Sequence, residues 1–93
     1  ITITDVQAVV AAHYRVTLAD LRGPSRARHL VRARQMAMAL AYSATRHSFA
    51  VIGREFCRHH TTVIHARETI AHATRRAPEL LQLFDRLWRE AQA

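Results

Sequence analysis

The chain has no lysine, one cysteine, two glycines and two prolines among its 93 residues. A single Cys57 excludes an internal disulfide and fits a reducing compartment. Few glycines and prolines, together with abundant alanine, favour helices over strands. The longest apolar run, residues 36–42, is too short to span a bilayer, and no basic-then-apolar leader precedes it. We therefore expect one small helical domain, residues 1–93, in the cytoplasm.

Positive charge is concentrated in the middle of the chain. All 14 basic residues are arginines, and the formal net charge is +7. Residues 22–67 hold nine arginines against one acid, Glu55, which is a net charge of +8, whereas residues 1–21 carry −1 and residues 68–93 carry zero. Such clustering is typical of a surface that binds a polyanion. An Arg-biased genome would explain the missing lysine but not the clustering.

Capping signals and apolar periodicity predict three helices in the first half. Thr4 and Gln7 have the spacing of a capping box, with Ile3 as its hydrophobic staple, and predict a helix from Asp5 to about His13. Thr17 and Asp20 repeat the spacing and predict a short helix at residues 18–22, ended by Gly23-Pro24. A basic loop, residues 23–30, then leads to the longest helix, from Val31 to about Thr45, with Met36, Leu40 and Ala44 on one face.

The second half predicts a helix-turn-helix, about residues 48–75, and a last helix, about 78–92. Ser48 is expected to cap residues 49–56, with Ile52 and Phe56 pointing inward. The next helix should begin at His60 or Thr61 and end near Arg75, with Val63, Ala66 and Ile70 on its apolar face. Pro78 suits the first position of the last helix, where Leu81, Phe84 and Trp88 are expected to cover the core. The fold class is all-α, with six helices.

The strongest functional signal lies at the start of the fifth predicted helix. His60, Thr61 and Thr62 carry short groups that both donate and accept hydrogen bonds. Such groups at a helix N-terminus suit base edges in the major groove, while the helix N–H groups favour phosphate. Capping would explain one of these three residues but not all of them. We predict that the isolated domain is a monomer that binds double-stranded DNA.

Three segments, in this order and spacing, carry a family resemblance: residues 34–38 (Arg-Gln-Met-Ala-Met), Ile52-Gly53, and residues 58–66 (Arg-x-His-Thr-Thr-Val-x-His-Ala). They resemble the C-terminal DNA-binding domain of bacterial replication initiators of the DnaA family, and the resemblance covers nearly the whole chain. It implies a helical fold related to the Trp-repressor type and recognition of DnaA boxes at a replication origin. It also implies that ATP binding belongs to a separate AAA+ domain. Because the chain lacks a Gly-rich phosphate loop ending in Lys-Ser or Lys-Thr, we expect no cofactor within it.

The resemblance also implies roles for individual residues. His60, Thr61 and Thr62 would face bases in the major groove, and Arg26 would enter the adjacent minor groove, where a narrow groove attracts arginine. Arg34 and Gln35 would contact DNA from the start of the long helix, Ser48 would touch phosphate, and Arg58 and His59 would contact phosphate or base edges at the turn. The complete expected DNA-binding set is Arg26, Arg28, Arg32, Arg34, Gln35, Ser48, Arg58, His59, His60, Thr61 and Thr62.

Three positions depart from the family pattern. His59 stands where the family usually has Asp; an Asp accepts from the cytosine amino group, whereas a His can donate, so we expect one base preference to relax or shift. Cys57 stands where a Gly usually permits a left-handed turn, a conformation that costs a non-glycine residue about 1 kcal/mol or more. Tyr42 stands where some relatives have Lys, and it offers a neutral donor in place of a charge.

Other interpretations stay open at this point. Cys57, His59 and His60 are close in sequence, but structural zinc usually needs four ligands and no second cluster has ligand spacing. A Cys–His nucleophile would lack an orienting acid and an oxyanion site. A stand-alone DnaA-like transcription regulator and a helical protein-interaction domain are the main alternatives in function. The start at Ile1 rather than Met favours a piece of a longer protein.

Overall fold

The computed structural model describes residues 1–93, which form six α-helices and no strand. The helices are α1 (Ile3–Tyr14), α2 (Leu18–Arg22), α3 (Arg28–Thr45), α4 (Phe49–Glu55), α5 (His60–Arg76) and α6 (Pro78–Gln92). This architecture confirms the predicted all-α class with a helix-turn-helix, here formed by α4 and α5. None of the six helices combines the length and the apolar character that crossing a membrane would require.

The first helix begins two residues earlier than its capping signal predicted. The Thr2 hydroxyl accepts from the Asp5 N–H at 3.0 Å, and the Thr2 N–H donates to the Asp5 carboxylate at 2.9 Å. The predicted box of Thr4 and Gln7 is therefore wrong. The earlier start brings Ile3 into the core, where it is stabilised by burial, and it leaves Gln7 fully buried one turn further along.

The second helix follows its prediction. The Thr17 hydroxyl accepts from the Asp20 N–H, and the Asp20 carboxylate accepts from the Thr17 N–H, both at 3.0 Å. In both boxes, hydrogen bonds from the backbone N–H and the hydroxyl of the threonine hold the pKa of the aspartate, Asp5 or Asp20, below its ordinary value. Gly23 ends α2 in an extended conformation, and a Cβ at this position would lie 2.9 Å from the carbonyl oxygen of Ala19.

The long central helix, α3, starts at Arg28 rather than at Val31, so the basic loop spans residues 23–27 instead of 23–30. No side chain caps its N-terminus. The extra turn is held by the buried side chain of Leu30 and by the Val31 N–H, which donates to the Ala27 carbonyl at 3.0 Å. Tertiary burial, which local capping signals do not report, therefore sets this helix start.

The core forms around α3, which packs against α1, α4, α5 and α6. Its fully buried apolar side chains come from all six helices: Val6, Val10, Leu21, Met36, Met38, Leu40, Ile52, Phe56, Val63 and Leu87. Burial of Ile52, Phe56 and Val63, with Ala66 and Ile70 further along α5, confirms the predicted apolar faces of the helix-turn-helix. These contacts bury one face of α5 and leave the opposite face exposed to solvent.

The last helix begins with Pro78, as predicted, and buries Leu87 and Ala91. Phe84 and Trp88 pack against the core, but Leu81 is 46% exposed, so its predicted core role is wrong. The inward face follows the helical spacing of Leu80, Phe84, Leu87 and Ala91, and Leu81 lies off that face.

The turn between α4 and α5 is tight because the chain crosses back over Gly53. The Arg58 N–H donates to the Gly53 carbonyl at 2.8 Å, and a Cβ on Gly53 would lie 2.6 Å from the Arg58 carbonyl oxygen. Only a glycine allows this approach without moving the turn. Cys57, within the turn, has a φ of 55°, the left-handed conformation predicted from its position.

We expect replacement of Cys57 by glycine to raise the free energy of unfolding by about 0.5–1 kcal/mol. Glycine relieves the left-handed strain of about 1–2 kcal/mol, offset by its larger entropy in the unfolded chain. Urea denaturation of the two proteins measures the difference. Cys57→Ser keeps the Cβ and removes the thiol, so it should show no gain; equal stabilisation by serine would mean that the thiol, rather than the backbone, is responsible.

Candidate nucleic-acid interface

The N-terminus of α5 presents an exposed polar group of residues. His60, Thr61 and Thr62 are exposed, whereas Val63 and Ala66 of the same helix are buried. His59 caps the helix, since its Nδ1 accepts from the Thr61 N–H at 3.3 Å. The threonines therefore face outward, as a surface that contacts a partner requires, and are not packed beneath other helices.

The loop at residues 23–27 lies on the same side of the molecule as this helix end. A cleft of about 310 Å³ separates them, and residues from the loop, α3, the turn and α5 line it. The lining residues are Arg26, Val31, Arg34, Gln35, Met38, Arg58, Thr62, His65 and Ala66. Arg26 itself is exposed. The two elements expected to contact DNA thus border one cleft.

Arg34 is buried, whereas a side chain that contacts phosphate is expected to be exposed. It is only 5% exposed, and its guanidinium donates to backbone carbonyls of α2 and the loop. These acceptors are Asp20 at 2.7 Å, Leu21 at 3.0 Å, Ser25 at 3.1 Å and Gly23 at 3.3 Å. Burial, together with the charge of Arg58, lowers its pKa from the ordinary value. These bonds hold the loop against α2, and a direct contact of Arg34 with DNA stays a prediction.

Arg58 is likewise engaged within the protein. Its guanidinium donates to the Gly23 carbonyl at 2.6 Å and to the Phe56 carbonyl at 3.1 Å. Gly23 thus accepts from both Arg34 and Arg58. This shared acceptor joins the loop that carries Arg26 to the turn that precedes α5. The half-buried Arg58 therefore links two parts of the interface, and its contact with DNA stays a prediction.

The buried Gln7, predicted to belong to a capping box, supports the other side of the turn. Gln7 donates from Nε2 to the Glu55 carbonyl at 2.9 Å and accepts from Arg22 at 3.0 Å. Glu55 is the last residue of α4. The network therefore connects α1 and α2 to the carboxyl end of the first helix of the helix-turn-helix, and it satisfies a side chain that burial would otherwise destabilise.

The remaining expected residues of α3 divide between two surfaces. Arg28 is exposed on the first turn, next to the loop. Arg32 lies in a separate depression with Tyr14, and Gln35 lines both this depression and the cleft. Burial raises the pKa of Tyr14, and the nearby positive charge of Arg32 partly opposes that rise. Gln35 thus borders both the cleft and the depression, whereas Arg32 lines the depression alone.

Ser48 lies at the edge of a second basic and aromatic surface. Its hydroxyl caps α4 by accepting from the Val51 N–H at 3.2 Å. Tyr42 stacks on Phe49 with ring centroids 4.2 Å apart, and the guanidinium of Arg67 lies 5.1 Å from the Tyr42 centroid. A cation in this position is stabilised by the ring electrons. Tyr42 thus holds the positive charge of Arg67 over one of its faces, and it lines a shallow depression together with Ser48.

Several contributing residues were not identified from the sequence. His65 lines the cleft one turn after Thr61 and Thr62, so helical spacing alone would have identified it. The contacts of Arg67 and Gln7, by contrast, join helices far apart in the chain and had no local signal. No group of three His, Cys, Asp or Glu side chains is arranged to hold a metal ion.

Comparisons with known proteins identify the family of this chain. Residues 3–70 match the family model described as the bacterial DnaA protein helix-turn-helix. The chain is 46% identical over 71 residues to the chromosomal replication initiator protein DnaA of Methylobacillus flagellatus. The matched region covers 75% of this chain and 15% of that protein. The chain therefore spans a small part of the length of that relative. It belongs to the family of bacterial DnaA helix-turn-helix domains.

Proposed function

We propose that this chain is a non-enzymatic domain that binds double-stranded DNA sequence-specifically and recognises DnaA-box-like sites at a replication origin. It acts as a monomer within a replication initiator, in the cytoplasm and associated with the nucleoid. One observation carries this proposal: Arg26 of the loop and Thr62 of α5 border the same cleft, on a chain whose residues 22–67 carry +8. A surface of this kind can engage two neighbouring grooves at once.

The amino end of α5 is the part that reads bases in this proposal. The exposed Thr61 and Thr62 offer methyl groups that suit thymine and hydroxyls that suit base-edge acceptors or donors. His60 adds ring nitrogens beside them. The positive end of the α5 dipole favours the negative phosphates on either side of the groove.

Arginines around this helix end provide the minor-groove contact and the attraction to the backbone. Arg26 is free and exposed, so its guanidinium can enter a narrow minor groove. The phosphates are contacted by Arg28, by Ser48 and by Arg67, whose guanidinium lies over the Tyr42 ring. Arg34 and Arg58 act indirectly, because they hold the loop of Arg26 against the turn before α5.

We propose that these residues bind no nucleotide cofactor. In a complete initiator, ATP would be bound by a separate AAA+ domain, and this chain would bind the specific DNA site. Binding by this chain would then depend on duplex sequence and on salt, not on nucleotide.

The test of the function is the salt dependence of binding to a labelled duplex that contains a DnaA box. Contact with about five to eight phosphates releases counterions, so a plot of log affinity against log salt should have a slope of about −4 to −7. Fluorescence anisotropy across a salt series measures it, with a scrambled duplex as control. A slope near zero, or equal affinity for both duplexes, would contradict the proposal.

We expect Thr61→Ala to weaken binding to the preferred duplex by about 1–3 kcal/mol and to weaken binding to random DNA less. The substitution removes the methyl and hydroxyl that face the bases and the contact of that hydroxyl with His59 at 2.9 Å. Thr74→Ala, on the same helix far from the cleft, is the matched control and should leave both affinities unchanged. Equal losses on the two duplexes would exclude base reading by Thr61.

Arg26→Ala and Arg34→Ala should have different consequences. Loss of the exposed Arg26 should reduce affinity for the preferred duplex and leave the free energy of unfolding unchanged. Loss of Arg34 leaves buried carbonyls without donors and should destabilise the fold by about 2–4 kcal/mol. Parallel urea denaturation and anisotropy separate the two effects. An Arg34→Ala protein of unchanged stability that binds every duplex more weakly would instead make Arg34 a direct phosphate contact.

A further inference from the structure

The first helix of the helix-turn-helix, α4, ends in a Schellman motif built on a residue other than glycine. The Cys57 N–H donates to the Arg54 carbonyl at 3.1 Å. The Arg58 N–H donates to the Gly53 carbonyl at 2.8 Å. These are the two bonds of the motif, and Cys57, with a φ of 55°, occupies its left-handed position, where glycine is usual because a Cβ destabilises that conformation. The motif that directs the chain into α5 is therefore strained.

These backbone bonds leave one carbonyl at the end of α4 without a donor from the turn. Glu55 is the last residue of the helix, and no backbone N–H donates to its carbonyl. The donor is instead the side chain of Gln7, whose Nε2 lies 2.9 Å from the Glu55 carbonyl oxygen. Gln7 lies on α1, 48 residues earlier in the chain, and is fully buried. A hydrogen bond between distant helices thus completes the end of α4.

Arg22 fixes the orientation of the Gln7 amide. Its guanidinium donates to Oε1 of Gln7 at 3.0 Å. Because a guanidinium can only donate, the amide oxygen must face Arg22, and the NH₂ group must face the Glu55 carbonyl. An apolar side chain in the place of Gln7 would leave that carbonyl facing hydrocarbon, which would destabilise the end of α4 in its present orientation.

We propose that Gln7 is a positioning residue for DNA recognition, because its bond to the Glu55 carbonyl holds the strained turn at Cys57 in the conformation that directs α5. The inference rests on the proposed duplex binding. The exposed threonines at the start of α5 follow the turn directly, so a change in the turn moves them relative to the loop of Arg26. Specific binding needs both elements in place, whereas attraction to any duplex depends mainly on charge.

Gln7→Met tests the bond itself, because it replaces the amide by an apolar group of similar size and leaves the net charge unchanged. We expect three- to tenfold weaker binding to a duplex that contains a DnaA box, about the size of one hydrogen bond, and a smaller loss on a scrambled duplex. Fluorescence anisotropy at a low temperature, where circular dichroism shows each protein to be folded, measures both affinities. Gln82→Met, the same exchange at an exposed position of α6, is the matched control and should change neither affinity.

Cys57→Gly distinguishes positioning from a general loss of structure. Glycine adopts the left-handed conformation without strain, so the turn should keep its direction without the bond from Gln7. We expect the double variant to bind both duplexes within about twofold of Cys57→Gly alone, which is the non-additivity expected of coupled sites. A loss of affinity caused by distortion of α1 would not be recovered by a change in the turn.

The outcomes separate this inference from the proposed function. If the unmodified 93-residue chain binds the DnaA-box duplex no better than the scrambled one, the proposed function fails, and the inference fails with it. If the chain does discriminate, an unchanged ratio of the two affinities in Gln7→Met overturns the inference alone, as does a reduced ratio that Cys57→Gly fails to restore. Should Gln7→Met not fold, Gln7→Glu gives the same comparison, because it keeps an acceptor for Arg22 and loses the donor to Glu55.

Discussion

The guanidinium of Arg34 holds the loop at residues 23–27 against the body of the protein. It donates to four backbone carbonyls, and one of them, Gly23, also accepts from Arg58 of the helix-turn-helix turn. A flexible basic loop would lose conformational entropy on binding DNA, and this arrangement removes much of that cost beforehand. The position of Arg26 relative to α5 therefore depends on buried hydrogen bonds rather than on the loop sequence.

The turn between α4 and α5 imposes a second constraint. Its close approach to Gly53 allows only four residues, 56–59, to connect the two helices, and Cys57 adopts a left-handed conformation within it. The chain tolerates this strain because Phe56 is fully buried on one side and Gln7 binds the end of α4 on the other. The direction of α5, and with it the placement of the exposed threonines, follows from these contacts.

His59 caps α5 and is also exposed beside the polar residues that begin this helix. An N-cap needs an acceptor, and an imidazole that accepts through Nδ1 must carry its hydrogen on Nε2. A requirement of helix capping thereby sets the hydrogen-bonding character of an exposed ring beside Thr61. Similar dual use is seen at Arg58, whose charge belongs to the basic surface while its donors hold Gly23 and Phe56.

Much of the fold was predictable because its signals are local. Such signals act within one or two helical turns, as do the capping box of α2, the Ser48 cap, Pro78 at the start of α6 and the apolar spacing of α5. The start of α3 was not predictable in this way, since burial of Leu30 rather than a cap sets it. At α1 two capping signals overlapped, and only burial of Ile3 and Gln7 decided between them.

By itself, the sequence determined the all-α class, the family and the exposed group at the start of α5, because composition, motif and helical periodicity are properties of neighbouring residues. Only the tertiary structure decided which arginines are free. The sequence assigned both Arg26 and Arg34 to DNA contacts, yet one is exposed and the other is surrounded by carbonyls of α2 and the loop. A guanidinium satisfied by backbone oxygens depends on chain segments meeting in space, and no local pattern reports that meeting.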